Sequence, residues 1–147
     1  MFSVAAGWLA KAAALVGLLV QAVREYEAAI PLLKTEVQKR NAPLPNQHSL
    51  LAFAYAGVGR KEDALREARL GAQLLPISED AYLGPTVQIG SAQVEVLVGE
   101  KDAAIDRIRY LLSNPSYLSP AVLRIDPSWA PLRDDPRFRK LAELDVQ

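Results

Sequence analysis

The sequence predicts an all-α chain of short helical hairpins closed by a C-terminal capping segment, and three observations carry that expectation. Apolar residues recur in steps of three and four along several stretches. A glycine, a charged turn and a small-plus-aliphatic pair recur at a fixed interval, Gly59 to Ala64-Leu65 and Gly99 to Ala104-Ile105. Near the C-terminus, Asp135-Pro136 has the chemistry of a helix start.

Composition bounds the reading first. The 147 residues carry 17 basic and 17 acidic side chains, so no net charge marks a nucleic-acid footprint or an acidic tail. Half of the residues are apolar, enough for a real core in a chain of this length. The absence of cysteine excludes a disulfide framework, a thiolate nucleophile and a cysteine zinc site, and fits a reducing cytosol.

Residues 1–23 need their own account, because Lys11 is the only charge among them. Three readings stand. In the first, an Ala- and Gly-rich helix packs within the fold. In the second, residues 4–23 anchor the chain in a membrane, being about 20 residues long, although Lys11 at mid-span costs on the order of 3 kcal/mol. In the third, Ala12–Val20 is the apolar core of a secretion leader with Val20-Gln21-Ala22 as a cleavage-like site. The expected location is therefore cytoplasmic or membrane-associated, with secretion the weaker alternative.

From residue 24 to 115 the chain reads as helical hairpins. The segment Leu50–Ala56 is apolar enough for a helix touched on more than one side. Gly59 ends it, and Glu62 and Asp63 favour the start of the next helix. That helix, expected from about Glu62 to Leu75, carries one apolar stripe through Ala64, Leu65, Ala68, Ala72 and Leu75, and Pro76 stops it. Short side chains at Ala64, Ala68 and Gly71 allow paired helices to approach closely. The same pattern returns from Thr86 to about Asn114. An earlier Ala29-Ile30 pair marks a degenerate hairpin between about Ala12 and Asn41, with Arg24 where the glycine would stand.

Leu51, Ala52, Tyr55, Gly59, Ala64 and Pro76 sit at the signature spacings of the tetratricopeptide repeat, which the run Leu51–Pro76 resembles. The later copy keeps Ala92, Gly99, Ala104 and Ile105 but has Glu95 in place of the usual aromatic. The segment Leu112–Ser116 with Leu123–Phe138 is similar to the closing segments that follow such repeats in bacterial proteins attached to kinases, cyclase-like proteins and winged-helix regulators. The resemblance implies a short solenoid of bacterial type, with residues 116–147 as its cap. It implies a non-enzymatic scaffold that binds a partner protein or peptide. The alternative is an accessory subunit of a membrane complex, anchored by the N-terminal helix. Partners of the family lie along the first helix of each pair, which implies Asn46, Ser49, Phe53, Ala56, Thr86, Ile89, Gln93 and Val96 as the groove. With Ser49 and Phe53 there, an apolar or mixed peptide fits better than a clamped carboxylate. Two or three hairpins are near the lower limit for a stable array, which favours an oligomer or a larger complex.

Few residues suggest other chemistry. His48, the single histidine, lies near a helix start and reads as a packing residue, with a site role as the alternative. Asp126, Asp134 and Asp135 stand in turns beside proline or arginine without a calcium-loop spacing. No nucleophile–histidine–acid set and no phosphate-binding glycine loop occurs, so neither a catalytic residue, a cofactor nor a metal is expected. Trp129, Pro131, Leu132 and Phe138 are expected to form an apolar lid over the last hairpin.

Overall fold

A computed structural model describes residues 2–39 and 45–143, with side chains described from Ala12 onward except at residue 13. All of its regular structure is helical. The order is α1 (Phe2–Lys39), α2 (Pro45–Gly57), α3 (Lys61–Leu74), α4 (Leu83–Leu97), α5 (Lys101–Leu112), α6 (Pro120–Ile125), a 3-10 helix (Pro127–Leu132) and α7 (Pro136–Leu141).

The two hairpins, α2–α3 and α4–α5, are closed by the same turn. In the first, the amides of Val58, Gly59, Arg60 and Ala64 donate to the carbonyls of Ala54, Ala56, Tyr55 and Arg60. In the second, Val98, Gly99, Glu100 and Ala104 donate to Val94, Val96, Glu95 and Glu100, every partner displaced by 40 residues. Gly59 and Gly99 hold φ of +77° and +84°, the left-handed region where a side chain would be strained. A six-residue offset between the hairpins is taken up by the turn after Pro76, whose carbonyl accepts from Glu79 and Asp80. Asp80 in turn starts α4, its Oδ1 accepting from the amides of Tyr82 and Leu83.

The expected degenerate hairpin before residue 41 is corrected. Residues 2–39 form one unbroken helix of 38 residues, about 57 Å long at 1.5 Å per residue. No glycine stands at Arg24 to turn the chain, and Pro31 is accommodated inside the helix. The boundary expected after Val23 therefore falls mid-helix. Among the described side chains of α1, only the C-terminal part is packed: Ile30 is buried, and the Tyr26 ring lies so close over Gly57 that a Cβ there would collide with it. Ala12 and residues 14–28 are exposed.

Two apolar cores meet at α4. The first joins Ile30 to Leu51, Ala52, Ala54 and Tyr55 of α2, Ala64 and Ala68 of α3, and Val94. The second joins Ile89, Ala92 and Val96 of α4 to Ile105, Ile108 and Leu111 of α5 and to the C-terminal segment. That segment is built from three proline-led helices. Ser119, Asp126 and Asp135 each accept a backbone N–H from the first turn that follows, and each precedes a proline at the first helical position. Trp129, Leu132 and Phe138 are fully buried against the last hairpin, as expected of a lid, whereas Pro131 is exposed and takes no part in it.

Ala64 is fully buried where α3 crosses α2. Ala64→Leu should destabilise the chain by about 1–3 kcal/mol through overpacking. The check is urea unfolding; a wild-type midpoint would remove Ala64 from the helix crossing.

Candidate functional site

An apolar concavity lies between the C-terminal part of α1 and α2. It measures about 460 Å³ and is lined by Tyr26, Ala29, Leu32, Leu33, Leu50, Phe53 and Ala54. No charged side chain lines it. Leu32 and Leu50, on its two walls, are 70% and 56% exposed, an arrangement that holds apolar surface in water unless something covers it.

Of the residues expected in a groove, only Phe53 lines this one. Its ring is half-buried, with the other side near Gly90 of α4. Asn46 is exposed, Ser49 is half-buried with its hydroxyl donating to the Pro45 carbonyl at 3.3 Å, and Ala56 packs beside the first core. Thr86 is exposed in a separate cleft of about 470 Å³ with Tyr82, Pro85 and Tyr117, and Gln93 is half-buried. Ile89 and Val96 are corrected. They are 1% and 5% exposed, inside the second core, because α4 is covered on one side by the first hairpin and on the other by α5 and Trp129. The lining residues missed by spacing, Tyr26, Leu32 and Leu33, come from α1, and their only signal is that the Ala29-Ile30 stripe continues to them.

A second concavity, of about 320 Å³, opens on the other side of α2, between α1, α2 and α3. Its floor is polar. His48 and Glu67, 6% and 8% exposed, are joined by a 2.7 Å hydrogen bond from His Nδ1 to Glu Oε2. Tyr55, Lys34, Arg60 and Arg66 complete its walls and rim. Arg60 lies over the Tyr55 ring, 4.6 Å from its centroid, and both arginines bridge to Asp63. The Arg66 guanidinium, hydrogen-bonded to Asp63, holds that carboxyl below its ordinary pKa, with Arg60 adding to the effect.

Forty residues on, the same three positions carry Gln88, Glu95 and Arg107. There the guanidinium grips the Glu95 carboxylate at 2.7 and 3.1 Å and also donates to the Gln88 carbonyl. Glu95, which departs from the aromatic of the repeat pattern, is thus satisfied by a partner on the next helix.

A further cleft, about 560 Å³, lies at the C-terminal end and is lined by Arg109, Arg137, Lys140 and Glu143 beside Leu112, Pro120 and Leu141. Its arginines are already bridged, Arg109 to Asp106 and Arg137 to Asp102 and Asp135. The Arg137 side chain and then its amide hold the Asp135 carboxyl at about 2. That network fastens α7 to α5. Among the described residues no group of three or more His, Asp and Glu could hold a metal ion.

Comparison with protein-family models, with curated proteins and with solved structures returned no match.

Proposed function

We propose that the chain is a non-enzymatic interaction module of tetratricopeptide type that takes an apolar helical segment of a partner protein into the groove between α1 and α2. The observation that carries this reading is the uncharged groove itself, with Leu32 and Leu50 exposed on opposing walls. An amphipathic helix binds such a surface through apolar residues at helical spacing, and no chemistry beyond burial is needed. The two hairpins with equivalent turns support the repeat reading. The alternative, an accessory subunit held in a membrane through residues 4–23, draws on the exposed apolar residues Leu15, Val16, Leu18, Leu19, Val20 and Val23. Among the described residues no helix is long and apolar enough to cross a membrane, and the side chains of residues 4–11 and 13 lie outside the described ones.

The test is fluorescence anisotropy with labelled amphipathic peptides that carry leucine at helical spacing. Wild type should bind with saturation, and Leu50→Glu should weaken binding by about tenfold or more, the loss expected at the centre of an apolar contact. Leu50 is half exposed, so the melting temperature should hardly move. Equal affinity of wild type and Leu50→Glu would sink the groove reading.

A further inference from the structure

We propose that the polar cleft between α1, α2 and α3 is a binding site for a small oxyanion, a carboxylate or phosphate group, independent of the apolar groove. Its lining brings three cations, Lys34, Arg60 and Arg66, to one mouth of about 320 Å³. The one carboxylate in the wall, Glu67, bonds the His48 ring at 2.7 Å and lies 3.6 Å from the Arg66 guanidinium. Asp63, which lies outside the lining, bridges both arginines, so these five charged groups leave one cation in excess. That excess sits on Lys34, an exposed side chain in no ion pair among the described residues. Each guanidinium has five N–H donors, and the bonds to Asp63 occupy only part of them. An oxyanion can therefore join the arginines without displacing Asp63.

The floor offers a further donor. Tyr55 lines the cleft, and its hydroxyl makes no hydrogen bond to another of the described residues. A hydroxyl at the wall of the cleft can donate to a charged acceptor, a bond stronger than one between neutral groups. The second hairpin is an internal control for this argument. At the positions equivalent to His48, Tyr55 and Glu67, its Arg107 donates to both Glu95 and Gln88. In the first hairpin the tyrosine leaves the network open, with one cation, Lys34, in excess at its rim. Chemistry that is closed in one copy and open in the other is what a ligand site requires.

The experiment is a titration of the full chain followed by amide and arginine side-chain NMR, with inorganic phosphate, acetate and chloride at matched ionic strength. Saturable shifts that cluster at His48, Tyr55, Arg60 and Arg66 with phosphate or acetate, and not with chloride, are the expected result. Phosphate alone active would identify phosphate as the source, and acetate alone active a carboxylate. Tyr55→Phe removes only the hydroxyl and Lys34→Gln only an exposed charge, so both variants should fold, as circular dichroism would verify. Tyr55→Phe should weaken the anion by about tenfold, the loss expected for one hydrogen bond to a charged group, and Lys34→Gln should weaken it less. Shifts that do not saturate, shifts equal in chloride, or affinity unchanged in Tyr55→Phe would each overturn the proposal. None of these outcomes touches binding of peptides at Leu50, so the two sites stand or fall separately.

Discussion

Trp129→Ala should lower the unfolding free energy by about 3–5 kcal/mol, the range for a buried indole cut back to a methyl group. The side chain is fully buried and is the largest in the second core, where it meets α4 and α5 together with Leu132 and Phe138. Removing it leaves a cavity bounded by three separate segments, none of which can collapse into it alone. Most small domains have about 5–15 kcal/mol in total, so this single change would remove a large share of the stability. Trp129→Phe should cost much less, because the indole N–H has no partner among the described residues to lose and only part of the volume goes. Urea unfolding of the three proteins would measure both differences. A loss below about 1 kcal/mol for the alanine variant would mean that the C-terminal segment only lies on the hairpin and shares no core with it.

Local chemistry in this chain was readable and long-range packing was not. The two hairpin turns could be found because Gly59 and Gly99 are needed for a left-handed backbone, and the charged residues after them start a helix whatever surrounds it. Asp135-Pro136 was readable for the same reason, since a cap needs only its own first turn. The reading of residues 12–41 as a hairpin failed because a repeat likeness was extended to a segment without a turn residue. Arg24 and its neighbours are good helix formers, and nothing there stops α1. Ile89 and Val96 were misplaced for a different reason. Helical spacing tells which residues share a face, but not how many faces are covered. The C-terminal segment that covers α4 from the far side returns to it from more than 30 residues away. The apolar groove depends on where α1 crosses α2, which no spacing within either helix contains. The same holds for Glu95, whose place in the pattern was visible while its partner Arg107 was not.

That pair gives the second large effect. Arg107→Met should destabilise the chain by about 3 kcal/mol, at the lower end for breaking a buried ion pair, since Arg107 keeps 22% of its side chain exposed. The loss has little to do with the arginine itself. Without it the Glu95 carboxylate, 8% exposed, stays between α4 and α5 with no counter-charge, and the Gln88 carbonyl loses its donor. Glu95→Leu combined with Arg107→Met removes both charges and should recover most of the stability, because two apolar side chains of similar volume replace a pair whose desolvation nearly cancels its attraction. A double-mutant cycle by thermal or urea unfolding separates the two contributions. If the double variant is as unstable as Arg107→Met alone, the arginine acts through its packed methylene stem and not through its charge. Recovery would instead show that Arg107 acts by neutralising the buried Glu95 carboxylate.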